Sequence, residues 1–435
     1  MVRLKEVSSS GVYHRRMHVQ ALNGKKIAIL GFGREGKAML AMLKRYAPTA
    51  DITIADAKST IIGYAECKAQ LGDSYLSSLE RFDVIIKSPG IPHQPKFDAV
   101  EGKMTSSTQI FFDSIKDSGA MVIGVTGSKG KSTTSTLIHE ILKAGGKDVS
   151  LIGNIGEPAI SHLEEAKPRK IFVMEMSSYQ LMDLTVSPHV AVVTSFFPEH
   201  LDYHASAPLS TGSSPLERYK DAKKHIARFQ MNNDVIFYCA TSDGAHEIAM
   251  ESPATRIPFS ADECPVPIEE THLLGEHNRS NIAAAWEVGV HLNIPQDVIL
   301  KVIREFRGLP HRLQSLGIHH DIEWIDDAIS TTPESTIAAL DALGDRVKTI
   351  ILGGQDRGND FTVLAQRIKR LQVKTVILFP GSGPRIREAL KSNTATAQMI
   401  DVESMEEAVT IARQKNHSNI EPFNNFIRPF DHPTI

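Results

Sequence analysis

The stretch Gly124-Val-Thr-Gly-Ser-Lys-Gly-Lys-Ser-Thr-Thr134 decides how the rest of the chain is read. It follows the apolar run Ala120 to Val125, which reads as a buried strand. It precedes Ser135 to Lys143, where Leu137, Ile138, Ile141 and Leu142 recur at helical spacing. Strand, glycine-rich loop, Lys-Ser-Thr, helix is the build of a phosphate-binding loop. The glycines let backbone N–H groups close round phosphate oxygens, and the helix N-terminus adds the positive end of its dipole. Lys131 is expected to reach the outer phosphates and the Ser132 hydroxyl to ligate Mg²⁺. The match to the common eight-residue pattern is imperfect, because its first glycine would fall at Val125 with Gly124 one place early. The competing reading is a tight strand-to-helix turn.

Bulk properties narrow the classes. A chain of 435 residues has room for about two to four domains. An apolar content of 41% and a charged content of 23% are ordinary for a soluble globular protein. A net charge of −3 gives no broad basic field, so nucleic acid is not an expected partner. No apolar run approaches the ~20 residues that span a bilayer. Met1 to Gln20 lacks an apolar core, so no secretory signal is read there, and Met17 is an alternative start. Cys67, Cys239 and Cys264 are scattered without metal-ligand spacing, which favours a reducing, cytoplasmic setting.

Outward from the loop, three α/β segments are expected, at residues 20–109, 110–307 and 308–435. In the first, strand Lys26 to Leu30 runs into Gly31-Phe-Gly-Arg-Glu-Gly36 and a helix from Lys37 to Tyr46. The next strand, Asp51 to Ala55, ends at Asp56. That order resembles a dinucleotide-binding fingerprint, a weak signal taken alone. Strand Phe82 to Ile86 delivers Ser88-Pro-Gly90, either a plain turn or part of a ligand crevice. The segment reads as the holder of a nucleotide diphosphate or a similar anion.

In the central segment, Gly153-Asn-Ile-Gly156 follows a strand from Val149 to Ile152. The strand starting at Ile171 ends in Glu175. An acid there suits Mg²⁺, since hard cations prefer oxygen ligands, or it caps the next turn. His200 also follows a strand, and on its own such a histidine is more often structural than catalytic. The amides of His277-Asn-Arg-Ser-Asn281 could cap a helix or contact an adenine. In the third segment, Arg307 to Pro310 reads as a hinge. Strands Ile322 to Ile325, Val347 to Leu352 and Thr375 to Phe379 imply a second open parallel sheet. Asn416 to Ile435 offers no clear strand.

Taken together, Gly124–Thr134, Gly153–Gly156, Glu175–Leu181, His200, Tyr219–Lys223, His277–Asn281, Gly308–Arg312, Asp327 and Gly353–Phe361 resemble the Mur ligase family. The resemblance runs from about Gln20 to about Arg413. It implies a Rossmann-like UDP-binding domain, a central P-loop ATPase domain with a mostly parallel sheet, and a C-terminal Rossmann-like domain. It also implies a monomeric, cytoplasmic enzyme that adds glutamate to UDP-N-acetylmuramoyl-L-alanine at the expense of ATP. Gly127, Ser128, Lys129, Gly130, Lys131, Ser132 and Thr133 would hold ATP phosphates, with Asn281, Arg312 and Asp327 at the rest of the nucleotide. Two Mg²⁺ would be held through Ser132, Glu175, His200 and a carbamylated Lys223, and Lys131, Glu175, His200 and Lys223 would carry the chemistry. Gly33, Arg34, Asp56, Ser88, Gly90, Asn154, Ser177 and Gln180 would face the UDP substrate. Thr331 and Arg357 would meet glutamate.

The sequence departs from that family in places. Ala328 and Ile329 stand where Ser and Lys are common, and Arg357 where a lysine is expected. The segment from His204 to Tyr219 is long. The strand and the glutamate-enclosing turn that close the family are not evident after Arg413. The L isomer of glutamate is therefore open as a substrate, as is a nucleotide-binding protein whose amino-acid site is lost.

Overall fold

The computed structural model describes residues 17–64, 67–206, 214–356, 358–393, 396–417 and 425–428. Strands buried on both faces of a parallel sheet are near-continuous apolar runs, and such runs build two sheets in the first 265 residues. The first holds β1 (Lys26–Leu30), β2 (Asp51–Asp56), β3 (Lys68–Leu71), β4 (Val84–Lys87) and β5 (Met104–Thr105) in the order β3-β2-β1-β4-β5. The second holds β6 (Met121–Thr126), β7 (Val149–Gly153), β8 (Ile171–Glu175), β9 (Val190–Val193), β10 (Val235–Cys239) and β11 (Thr255–Phe259) in the order β11-β10-β9-β6-β8-β7. All their pairings are parallel. The order reverses on either side of β1 and of β6, so the carboxyl ends of these central strands open onto crevices.

The helices follow the same chain order: α1 (Arg34–Tyr46), α2 (Ser107–Ile115), α3 (Lys131–Ala144), α4 (Ser178–Leu181), α5 (Leu201–Ala205), α6 (Pro215–Arg228), α7 (Asp243–Ala249), α8 (His277–His291) and α9 (Gln296–Glu305). The helix α3 buries Leu137, Ile138, Ile141 and Leu142, the face expected from their spacing. Each such side chain contributes about 1.5–3 kcal/mol on leaving water. The helix begins at Lys131 rather than Ser135, so the Lys-Ser-Thr run is its first turn.

The chain divides into two units, Met1–Pro265 with Arg279–Ile303, and Val266–Asn278 with Arg304–Ile435. The sequence places 266–278 in the central segment, whereas this stretch packs with the second unit through residues such as Leu274. The second unit holds β12 (Gln314–His319), β13 (Ile322–Asp326), β14 (Thr349–Gly354), β15 (Thr375–Gly381), β16 (Gln398–Asp401) and β17 (Asn425–Arg428). Its helices are α10 (Pro333–Leu343), α11 (Thr362–Arg370), α12 (Gly383–Ser392) and α13 (Met405–His417).

Two expectations fail here. The strands form two three-stranded sheets, β12-β13-β17 and β14-β15-β16, and β12 pairs antiparallel with β13, so a single parallel sheet is not what forms. The tail does contain a strand, because β17 pairs parallel with β13. Phe426 and Ile427 are too short an apolar run to announce it.

Candidate functional site

The loop after β6 is fixed by sterics that only glycine satisfies. Gly130 has φ +87, and a Cβ on it would lie 2.2 Å from Asn281 Oδ1. Gly127 leaves even less room against Thr194 Oγ1. Asn281, buried on α8, also accepts from Thr134 Oγ1 at 3.3 Å, so this predicted nucleotide residue packs directly on the loop. Gly130 caps α3 without a side-chain acceptor, which leaves the first amides of the helix to an anion.

Loop 194–197 holds the phosphate loop from the other side. Lys129 N donates to Ser195 Oγ at 2.9 Å, and Thr194 Oγ1 donates to Lys129 O at 2.6 Å. The Ser128 hydroxyl accepts from Phe197 N at 2.8 Å and lies 2.9 Å from Tyr219 Oη, so its side chain serves the loop's shape. Lys129 Nζ pairs with Glu199 at 2.5 Å. Ser132 and Thr133 sit in the first turn of α3.

Two lysines converge on one carbonyl. Lys131 Nζ donates to Gly127 O and Ser128 O, each at 2.9 Å. Lys223 Nζ, on α6, donates to the same Gly127 O at 2.9 Å and to Thr126 Oγ1 at 3.3 Å. Lys223 is 1% exposed. Burial pushes its amine well below the usual lysine range, the Lys131 charge adds to that, and Glu199 and Glu175 oppose it.

Glu175 closes β8 and is 1% exposed. Its Oε1 accepts from Asn154 Nδ2 at 2.6 Å, and Asn154 N donates to Glu175 O at 3.0 Å, which seats the Gly153–Gly156 turn on the strand end. Its Oε2 is buried without a hydrogen-bond partner. An orphaned, buried carboxylate oxygen at a strand's carboxyl end fits a hard divalent cation. Among the described residues, no group of three His, Cys, Asp or Glu side chains forms a ready cage. Mg²⁺ suits such a site, because it takes one or two carboxylates and fills its shell with phosphate and water.

His200 caps α5 in the left-handed region, φ +55. Partial burial lowers its imidazole, assisted by Lys131 and Lys223 and opposed by Glu199 and Asp202. Its ring lies 5.2 Å from Tyr179, whose ring meets that of Tyr203 at 3.9 Å, tilted by 37°. His204, one turn on, is buried, meets Ser178 Oγ at 3.1 Å through Nε2, and leaves Nδ1 unpartnered. Burial lowers it to about 4, so it is neutral. The sequence reading passed over Tyr179, Tyr203 and His204; the four-residue spacing from His200 to His204 was the available signal.

The residues expected at the UDP group lie in the first unit. Asp56 Oδ2 accepts from Phe32 N at 2.7 Å and Ser88 Oγ donates to Gly31 O at 3.0 Å, so both brace the Gly31–Gly33 turn that caps α1. Gly90 is exposed in the following turn. The Arg34 guanidinium donates to Gly156 O. Ser177 and Gln180 form a capping box on α4, and Gln180 Nε2 reaches Glu35 Oε1 at 3.2 Å.

The second unit carries the remaining nucleotide candidates. Asp327 is 3% exposed, and its oxygens accept from Leu313 N at 3.0 Å and from the Ser330 hydroxyl. Burial raises it to about 6 against those hydrogen bonds and Arg312. Thr331 and Arg312 are both exposed. Arg357 lies outside the described residues.

Known proteins resemble this chain along most of its length. The Mur ligase middle domain matches residues 125–289, and the Mur ligase glutamate ligase domain matches residues 311–419. The UDP-N-acetylmuramoyl-L-alanine--L-glutamate ligase of Salinispora tropica is 33% identical over 400 residues, 86% of each chain. The UDP-N-acetylmuramoylalanine--D-glutamate ligase of Symbiobacterium thermophilum is 33% identical over 371 residues, covering 79% of this chain and 78% of its own. The crystal structure of UDP-N-acetylmuramate-alanine ligase from Thermotoga maritima shares the fold, with TM-score 0.55, 18% identity, and coverage of 93% and 95%.

Fold, phosphate loop and relatives thus define an ATP-dependent ligase that forms amide bonds. The chain belongs to the Mur ligase family.

Proposed function

We propose that this protein joins glutamate to the alanyl carboxylate of UDP-N-acetylmuramoyl-L-alanine during peptidoglycan precursor synthesis. The observation that carries the reading is the buried Glu175 carboxylate, with one oxygen fixed by Asn154 and the other open. Residues 20–109 hold the UDP part, 110–307 the ATP, and 308–435 present glutamate through Thr331 and Arg357. The enzyme acts as a cytoplasmic monomer.

A carboxylate is a poor electrophile, so the alanyl carboxylate first attacks the γ-phosphorus of ATP. The β–γ bridging P–O bond breaks and ADP leaves an acyl phosphate. Both reactants are anions and repel. Lys131 turns from the Gly127 and Ser128 carbonyls to the outer phosphates, and the α3 amides hold the remainder. Ser132 and Glu175 would hold one Mg²⁺ and His200 with Lys223 a second, which would supply charge neutralisation and alignment. The neutral amine of glutamate then attacks the acyl carbon and inorganic phosphate departs. Burial favours the neutral Lys223 amine, the form that adds CO₂ and loses a proton to become a carbamate. That anion would replace an amine that now shares the Gly127 carbonyl with Lys131.

The D isomer of glutamate is the expected substrate. The L isomer is the second reading, left open by the glutamate-enclosing turn that is not evident after Arg413 and used by name in the Salinispora tropica relative. Phosphate release from ATP, Mg²⁺ and UDP-N-acetylmuramoyl-L-alanine, assayed with each enantiomer, decides between them. Lys131→Ala is expected to abolish release with an unchanged circular-dichroism spectrum. Tight ATP binding without release for either enantiomer would overturn the assignment.

A further inference from the structure

The Ser88–Ile91 loop is held on both sides. On its own side, Ser88 N donates to Leu30 O at 2.9 Å and Ser88 Oγ to Gly31 O at 3.0 Å. From the central sheet's side, the Tyr203 hydroxyl donates to Pro89 O at 2.6 Å and lies 3.0 Å from Ile91 O. Lys87, almost fully buried, pairs with Asp183 at 2.8 Å and reaches Ile91 O at 3.3 Å.

Tyr203 differs from Lys87 in what it is attached to. It lies on α5, five residues long, whose N-cap is His200. A helix that short has no stability of its own and takes its place from tertiary contacts. Two of its side chains make such contacts. His204 ties it to Ser178 on α4, and Tyr203 ties it to Pro89 and Ile91. The Tyr179 ring joins the two, packed against the Tyr203 ring at 3.9 Å and 5.2 Å from the His200 ring.

We infer that Tyr203 is a positioning residue: its hydroxyl couples the Ser88–Ile91 loop to His200, so that seating the uridine substrate and seating the second metal ion become one event. This rests on the assignment of Ser88–Gly90 and His200 made above. Tyr203→Phe removes the hydroxyl and keeps the ring contact and the His204 tether, so the helix stays folded. A merely structural hydroxyl would change the melting temperature alone.

The expected result is a five- to tenfold rise in both KM for UDP-N-acetylmuramoyl-L-alanine and the Mg²⁺ concentration for half activation, about the size of one lost hydrogen bond. The KM for ATP should stay within about twofold of the parent's. A second readout needs no turnover. In the parent, Mg²⁺ with a non-hydrolysable ATP analogue should slow amide hydrogen exchange across residues 88–91, and in Tyr203→Phe it should not. An unchanged Mg²⁺ requirement with equal exchange protection in both proteins would overturn the coupling. If the parent has no turnover with the uridine substrate, the proposed function fails by itself, and the exchange comparison still decides on Tyr203.

Discussion

Glu175 and Asp327 are both buried acids at a strand's end, yet their surroundings differ. Glu175 is 1% exposed and keeps Oε2 without a partner. Asp327 is 3% exposed, and both its oxygens are occupied by the chain itself, through Leu313 N and Ser330 Oγ. Leaving a buried acceptor unmet costs about 1–3 kcal/mol, more for a charged group. Such a cost persists where a ligand recovers it, and this is the ground on which Glu175 is proposed as a metal ligand. The filled carboxylate is part of a knot. Asp327 and Asp326 bind Leu313 N and the His311 ring, at 3.0 and 2.7 Å, and Ile329 N donates back to His311 O at 3.0 Å. Asp327 therefore fixes the 311–313 turn first, and meets a nucleotide only through lone pairs that turn leaves over. A position at a strand's end does not separate the two roles; the donors around the carboxylate do.

Glu175→Gln is the strongest way to break the contrast. The amide keeps the shape and can still accept from Asn154, but it offers a cation no charge. Turnover should fall by ~10³-fold, as expected when several kcal/mol of metal-borne stabilisation are lost. The melting temperature should hold or rise, because a neutral amide is cheaper to bury than a charge. Phosphate release across a Mg²⁺ titration, with calorimetry beside it, checks both. Near-normal turnover would show that the open oxygen is not a ligand.

How much of this was legible follows from the same physics. Buried parallel strands such as β1 and β8 are apolar almost from end to end, and their carboxyl ends delivered Gly31 and Glu175 directly. Edge strands β3, β12 and β16 are largely exposed and carry no such run, so they were passed over. The two-unit division was hidden because residues 266–278 pack with chain that follows only after Ile303. At the site, Lys131 and Glu175 stood out because phosphate-loop chemistry constrains their spacing. Tyr203 did not, since its partners Pro89 and Ile91 are more than a hundred positions away. Ser128 and Asp56 were read as ligand contacts, but their side chains are engaged in holding turns.

The filled carboxylate makes its own prediction, next in size. Burial raises Asp327 from 3.8 to about 6, so the folded state holds this proton more tightly than the unfolded chain does. Its protonation supports the fold fully below about pH 4, and that support is lost as pH rises through about 6. Asp327→Asn imitates the protonated acid and does not titrate. The two proteins should be equally stable near pH 4, and the variant more stable by on the order of 3 kcal/mol above pH 7. Chemical denaturation at pH 4, 6 and 8 gives the difference. A constant difference across that range would mean that Asp327 is charged throughout.

Ile329 provides the smallest and sharpest test of the knot. Its backbone N–H is bound to His311 O, whereas its side chain is 51% exposed at a position where the family commonly carries lysine. Ile329→Lys leaves the turn's hydrogen bonds in place, so stability should move by no more than ~0.5 kcal/mol. If the turn faces the nucleotide, an added cation should lower KM for ATP about two- to threefold at low salt. A solvent-exposed charge is screened within about 10 Å at 0.1 M ionic strength and within about 3 Å at 1 M. The gain should therefore vanish as salt is raised, while the effect of Glu175→Gln, in a buried site, should not. A salt-independent gain would mean that the introduced ammonium makes a direct, desolvated contact. No gain at any salt would mean that this turn does not face the phosphates, and that Asp327 serves the 311–313 turn alone.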